Sequence, residues 1–306
     1  VLDRLEEGIR PLVEDFISAG KPCSSELSIE DRRTGYIAST SLADTAPQLF
    51  AEYEIRLNGI NMKIYQPLDG TDLPLCIYFH GGCFVSGGFL THDPQLRELA
   101  HQSGCIFVCI EYRLAPEHIY PAAHDDAYFG SLAIKEHARR IGGNANEISF
   151  MGDSAGGHLA LITALRLKNK TDWLPNKLAL IYPMLDPKGL SPSYSANGSD
   201  YIITSKMLLS GFELYLGDAD YDEQDSELNV LMSAKFEGLP PTYIVTAEYD
   251  PLLDEGLLLS ERLKVSGVEV KSETYPGVIH GFFQLSGVSK SAVNCIHSLS
   301  EWISEY

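Results

Sequence analysis

Five short apolar runs punctuate the chain, at residues 75–79, 105–112, 148–152, 178–182 and 242–247, and a sixth strand is predicted at 268–274. The five runs are apolar without strict alternation, which is how strands covered on both faces read. Helical spacing fills most of the gaps, over residues 94–102, 121–140, 155–168 and 252–265, and a closing helix is predicted at 290–303. Short strands alternating with helices give βαβ units and a mainly parallel sheet. Upstream, residues 53–57 and 62–66 flank Asn58-Gly59, a hairpin signal that adds antiparallel strands at one edge. The count comes to about eight strands in an α/β architecture.

Two segments stand outside this rhythm. Leu5, Ile9, Leu12, Val13 and Phe16 predict an amphipathic helix over residues 4–19, with Pro11 expected to kink or divide it. Nearly sixty residues between Pro183 and Thr242 carry polar loops and one helix at 205–216. An insertion of that length is uncommon without a function of its own, and it is expected to pair with the N-terminal helix as a lid.

The 306 residues suit one α/β core with a decoration, and 44% hydrophobic residues are enough to fill it. Acidic residues outnumber basic ones 42 to 23, a net charge of −19. That field disfavours nucleic acids, anionic membrane surfaces and polyanionic substrates as partners; its plainest role is solubility. The six cysteines (Cys23, Cys76, Cys83, Cys105, Cys109 and Cys295) include no C-x-x-C pair, which argues against a zinc or redox site. Four lie in strand-like stretches, where a thiol acts as a small hydrophobe, so a reduced, cytoplasmic chain is expected. No apolar run reaches the length of a membrane span. Val1-Leu2-Asp3-Arg4-Leu5-Glu6-Glu7 places acids where a signal peptide carries basic residues; the missing starting Met leaves a removed leader open. No oligomeric state is specified, and a homodimer is compatible with the sequence.

The chemistry enters at Gly152-Asp153-Ser154-Ala155-Gly156. The pattern G-x-S-x-G is weak alone, but here a predicted strand precedes it and a predicted helix follows, which is the context a nucleophile elbow requires. The serine of such an elbow sits on a strained turn, so the residues two positions away must lack colliding side chains. The following helix aims its N-terminus, and the Ala155 amide, at the place where negative charge develops.

His80-Gly81-Gly82-Cys83 follows directly on the strand at 75–79. Its glycines allow a sharp turn that presents bare N–H groups, so Gly81, Gly82 and Cys83 join Ala155 as candidate oxyanion donors. Cys83 as nucleophile is the lesser alternative, because Ser154 already occupies an elbow. His80 is read as a structural lock on the loop. Among nine histidines, His280 stands out, because it follows the strand at 268–274 and the Pro276-Gly277 turn, at the carboxyl edge where ligand groups gather in open α/β sheets. Asp250 follows the strand at 242–247 and is the preferred acid over Glu248 and Asp254. The order Ser154, Asp250, His280 is that of α/β-hydrolases.

Together the His80 loop, Tyr112-Arg113-Leu114-Ala115-Pro116-Glu117, Gly152-Asp153-Ser154-Ala155-Gly156-Gly157, Asp250-Pro251-Leu252 and His280-Gly281-Phe282 resemble the hormone-sensitive-lipase-like carboxylesterases, with the nearest match among bacterial acetyl-esterase-like members. The resemblance runs from about residue 50 to the end. Cys83 departs from it, standing where the family has a third glycine. The resemblance implies an α/β-hydrolase fold with a helical cap, formed by residues 1–45 and an insertion at about 186–238 within a catalytic domain spanning 46–306. It further implies hydrolysis of small, short-chain acyl esters with no metal or organic cofactor, and a structural role for residues 112–117. Rival readings are an amidase or deacetylase using the same triad, a long-chain lipase, and a non-catalytic binder on the same scaffold. The binder is disfavoured because related plant gibberellin receptors lack the histidine that His280 supplies here.

Overall fold

The computed structural model describes residues 2–20, 24–222 and 224–305. In chain order, α1 (Arg10–Ala19) and α2 (Ile29–Ala38) precede the hairpin β1 (Ala51–Leu57) and β2 (Ile60–Gln66). There follow β3 (Leu73–Phe79), α3 (Phe89–Ser103), β4 (Ile106–Ile110), α4 (Ala122–His137), β5 (Gly143–Asp153), α5 (Ala155–Lys170) and β6 (Leu178–Ile181). The inserted stretch holds α6 (Pro192–Ala196), α7 (Ser205–Leu216) and α8 (Val230–Ser233). The chain closes with β7 (Thr242–Tyr249), α9 (Leu253–Val265), β8 (Val270–Ile279) and α10 (Lys290–Ser304).

The eight strands form one sheet in the order β1-β2-β4-β3-β5-β6-β7-β8. Only the pairs β1–β2 and β2–β4 are antiparallel. Asn58 and Gly59 turn the hairpin with φ of 48° and 81°, the left-handed pair a two-residue turn demands. Buried side chains on the two sheet faces form separate cores, one with Ile77, Phe79 and Phe150, the other with Tyr78, Phe107 and Tyr243. All five described cysteines are buried among these side chains, none of them in a disulfide; Cys23 lies outside the described residues. Among the described residues no helix is long and apolar enough to cross a membrane.

Register decides what the sheet can carry. Phe79 pairs with Gly152 across β3 and β5, so the loop from His80 and the turn at Ser154 leave the same edge side by side. Ile181 pairs with Asp153, and β7 and β8 end on that edge too.

Several local expectations need correction. Pro11 neither kinks nor divides a helix: it occupies the first turn of α1, where its missing N–H has no intrahelical partner to lose. Residues 4–9 lie outside that helix, in a 3-10 turn and a loop. Pro276-Gly277 is not a turn that ends β8. The strand runs through it to Ile279 with a register shift opposite Ala247 and Tyr249, and Gly277 takes a φ of 71°. Helix α2 had no counterpart among the predicted elements. Ser28 caps it by accepting from the Asp31 amide, but its apolar positions are too few to set a period.

Candidate active site

Ser154 stands between β5 and α5 with φ 55° and ψ −117°, the strained conformation of an elbow. The glycines around it are sterically required. A Cβ on Gly156 would lie 1.8 Å from the Phe79 carbonyl oxygen, and one on Gly152 would lie 2.2 Å from that of Gly156. The Ser154 N–H donates to Ile181 at 2.8 Å, and its carbonyl accepts from Met184 at 3.1 Å, which ties the turn to the neighbouring strand.

Three residues from three separate strand ends meet here. Ser154 Oγ lies 3.0 Å from His280 Nε2, and His280 Nδ1 lies 2.7 Å from Asp250 Oδ2. Asp250 is fully buried, and its other oxygen accepts from the Leu252 amide at 2.7 Å. Since a carboxylate accepts, the proton of the imidazole sits on Nδ1 and Nε2 faces the serine hydroxyl. The Tyr182 ring packs over His280 with centroids 4.5 Å apart, a contact no sequence signal announced. The competing acids serve elsewhere: Glu248 accepts from the Gly277 amide and Asp254 from the Ser193 amide.

The loop after β3 separates the candidate oxyanion donors. Among the described residues the Gly82 and Ala155 amides carry no hydrogen bond to protein. Cys83 and Phe84 hold φ of 54° and 65°, left-handed backbone in which the loop turns sharply. Gly81 departs from the expectation: its N–H donates to Asp153 Oδ1 at 3.0 Å, so that amide is already committed. Its glycine is still needed, because a Cβ would lie 2.4 Å from Asp153 Oδ2.

Asp153 heads a buried network that the sequence reading missed. Its carboxylate takes Tyr78 Oη at 2.7 Å and His92 Nε2 at 2.9 Å as well as the Gly81 amide. Burial pushes its pKa up, but His92 and the hydrogen bonds from His92 and Tyr78 outweigh that and hold it below the usual carboxylate range. With Nε2 on Asp153 and Nδ1 2.8 Å from Thr91 Oγ1, His92 has no nitrogen left to act as a base. His80 locks the loop, its Nδ1 2.8 Å from the Gly81 carbonyl and its ring stacked 4.2 Å from Tyr112. Burial, with His92 nearby, lowers its pKa to about 3, so it stays neutral.

Two further histidines lie behind the loop. His158 Nδ1 is 2.9 Å from the Met184 carbonyl, His158 Nε2 is 3.1 Å from His124 Nε2, and His124 Nδ1 is 2.7 Å from Tyr215 Oη on α7. Phe84 stacks on Tyr215 at 4.6 Å and meets His158 edge-on at 5.4 Å. From the N-terminal side, Arg33 donates to the Val85 carbonyl at 2.8 Å. Thus α2, α4, α5 and α7 all bear on the loop that carries Gly82 and Cys83. No group of three or more His, Cys, Asp or Glu side chains among the described residues is arranged to hold a metal ion.

A serine elbow, a strand-edge imidazole and a buried carboxylate at these distances define a hydrolase of the α/β type, and residues 76–284 match the family model described as the alpha/beta hydrolase fold. The chain belongs to that family, in its hormone-sensitive-lipase-like branch, and with it to the carboxylic ester hydrolases. Its relatives include the carboxylesterase NlhH of Mycobacterium tuberculosis, 33% identical over 81% of each chain. The ethyl acetate hydrolase of Pseudomonas putida is 30% identical over 92% of each. Among solved structures, an ester hydrolase from the metagenome of Lake Arreo superposes with a TM-score of 0.92 at 32% identity, covering 98% of each chain.

Proposed function

We propose that this chain is a carboxylesterase that cleaves short-chain acyl esters through an acyl-enzyme on Ser154. The observation that carries the reading is the continuous hydrogen-bonded line from Ser154 Oγ through His280 to Asp250, with links of 3.0 and 2.7 Å. His280 Nε2 takes the hydroxyl proton as Oγ attacks the ester carbonyl. The same nitrogen then returns the proton to the departing alcohol, and water repeats the sequence on the acyl group. Asp250 fixes the imidazole tautomer and stabilises its cation. The amides of Gly82, Cys83 and Ala155 receive the oxyanion, each contributing roughly 3 kcal/mol to the barrier reduction. Gly81 is not among them, because Asp153 holds its N–H.

The preference for short acyl groups is supported by how closely the site is covered. Ser154 is only 4% exposed, and Gly211 of α7 packs directly on Cys83. Residues 1–45 and 186–238 act as the cap, excluding water during the reaction. The relatives named for acetyl esters and ethyl acetate point the same way.

The test is hydrolysis of p-nitrophenyl esters from acetate to palmitate by the wild type and Ser154→Ala. Activity concentrated on acetate and butyrate and lost in the variant is the expected result. Turnover persisting in Ser154→Ala would remove the serine from the mechanism, and a wild type that cleaves only the matched amides would move the reading to an amidase.

A further inference from the structure

Arg32 is a buried cation with two donor nitrogens left without a hydrogen-bond partner among the described residues. It lies on α2 and is 6% exposed. Its Nη1 donates to Ser210 Oγ on α7 at 3.2 Å. Its Nε and Nη2 are shielded from solvent and have no hydrogen-bond partner among the described residues. Those two nitrogens form one edge of the guanidinium plane, the fork that receives a carboxylate side-on.

Elsewhere the chain uses that same edge in that way. Arg113 donates from Nε and Nη2 to the two oxygens of Asp126, both at 2.9 Å, and Arg166 does so to Glu227, both at 2.6 Å. Neighbouring Arg33 is engaged through all three of its nitrogens, by Glu117 and the carbonyls of Val85 and Ala115. In a chain with 42 acidic residues, a buried arginine left without one is conspicuous. Burying an unpaired charge is costly, so a site that retains one is built for a counterion that arrives from outside.

The place fits a substrate. Tyr36, four residues on and therefore on the same face of α2, meets the His92 ring edge-on at 6.0 Å and donates to Gln284 Oε1 at 2.7 Å. His92 holds Asp153, the residue before Ser154. Ser210, the other anchor of Arg32, precedes Gly211, which lies against Cys83. Arg32 therefore bridges α2 and α7 where both close over the oxyanion loop.

Resting on the serine-esterase reading, we propose that the Nε–Nη2 edge of Arg32 recognises a carboxylate on the substrate, so that the preferred substrates are esters bearing one free carboxylate: half-esters of dicarboxylic acids or acylated hydroxy acids. Ser210 holds the third nitrogen and so sets the plane of the fork. A carboxylate suits it better than a phosphate, because two donors and one charge are offered and the neighbouring cations Arg33 and Lys206 are paired to Glu117 and Glu26. The substrate enters as the cap parts and completes the pairing as it closes.

The experiment compares kcat/KM for mono-p-nitrophenyl succinate with that for p-nitrophenyl butyrate, and for 4-acetoxybenzoate with that for phenyl acetate. Wild type, Arg32→Met, Arg32→Lys and Ser210→Ala are used, with melting curves for each. Expected is a wild-type preference for one of the carboxylate-bearing esters. Arg32→Met should lower kcat/KM for it at least tenfold, mainly through KM, with the neutral ester changed less than twofold. Arg32→Lys keeps the charge but not the fork and should recover only part of the loss. Ser210→Ala, which leaves α2 untouched, should show a smaller loss with the same selectivity. Equal loss on charged and neutral esters, or no wild-type preference in either pair, would overturn the proposal. Binding of the succinate half-ester to Ser154→Ala, with and without Arg32→Met, reads recognition apart from hydrolysis. An arginine-dependent affinity there without turnover in the wild type would sink the esterase reading alone, whereas turnover without that affinity would sink only the carboxylate site.

Discussion

Gly211→Ala asks whether α7 sets the loop proposed to hold the oxyanion. Propensity alone makes the change favourable, since alanine exceeds glycine by about 1 kcal/mol inside a helix. Gly211 faces Cys83, however, and a Cβ there would lie 2.5 Å from the Cys83 carbonyl oxygen and 2.6 Å from its Cβ. Non-bonded atoms rest at about 3.5–4 Å, so helix and loop must separate by roughly 1 Å. Neither side yields easily. Leu208, Phe212 and Tyr215 anchor α7 in the core, and Cys83 and Phe84 sit at φ of 54° and 65° in a narrow allowed region. Overpacking of this kind costs about 1–3 kcal/mol, which cancels or exceeds the propensity gain.

The larger effect falls on the reaction. Displacing a donor by roughly 1 Å costs on the order of a hundredfold in rate, close to losing it. With p-nitrophenyl acetate we expect kcat to fall about a hundredfold and KM to change little, because in the proposed mechanism the amides of Gly82 and Cys83 matter most when charge has developed. The melting temperature should stay level or fall by a few degrees. Gly35→Ala on α2 is the matched control, since a Cβ there meets nothing within 4 Å; it should raise stability and leave kcat unchanged. A Gly211→Ala enzyme with wild-type kcat and a raised melting temperature would refute the coupling of α7 to the loop.

Asp250→Asn presents an amide where His280 Nδ1–H needs an acceptor, and kcat should drop by roughly 10⁴-fold at pH 7 with the melting temperature nearly kept. Buried Glu255 is pushed up to about 8 by burial, which outweighs hydrogen bonds from Tyr194 and the Leu185 and Asp186 amides. Its folded form then binds a proton that the unfolded form releases above pH 4.5, so its contribution to stability is lost as pH rises from there to 8. Denaturant unfolding across that range should show Glu255→Gln gaining on the wild type as pH rises, and parallel curves would contradict the shift. For His158 the sign is opposite: burial lowers its pKa from 6.5 to about 4, so the unfolded chain takes up the proton first and stability falls as pH drops through that window. His158→Gln should flatten the acid limb of the same measurement, and an unchanged limb would rule the residue out as its source.

Much of the fold was legible because its rules are local. Most of the parallel strands are apolar on both faces, β8 being the polar exception, and the elbow needs glycine wherever a Cβ would strike backbone, as at Gly152 and Gly156. What escaped depended on distant partners. Helix α2 buries Arg32 and packs Tyr36 against His92, polar and aromatic contacts that a count of apolar periods does not register. The Asp153 network joins Tyr78 and Gly81, at the end of β3, with His92 on α3, two other parts of the chain. Sequence showed that adjacent loop amides were exposed by small residues, but not which would be claimed; Asp153, itself inside the motif, claims that of Gly81.

The histidine pair behind the loop shows how a dispersed set of residues yields one defined state. The Met184 carbonyl only accepts, so His158 carries its proton on Nδ1 and offers Nε2 as acceptor. His124 must then donate from Nε2, which leaves its Nδ1 to accept from Tyr215. The hydroxyl completes the order by accepting the His124 backbone N–H at 3.2 Å. These contacts from α5 to α7 are all satisfied with both imidazoles neutral, and the Glu227 backbone offers both rings a further acceptor. Burial enforces that neutrality, lowering His158 to about 4 and His124 well below its ordinary value. A proton added to His158 would set its Nε2–H against the Nε2–H of His124, and that clash falls beside Phe84, one residue from Cys83.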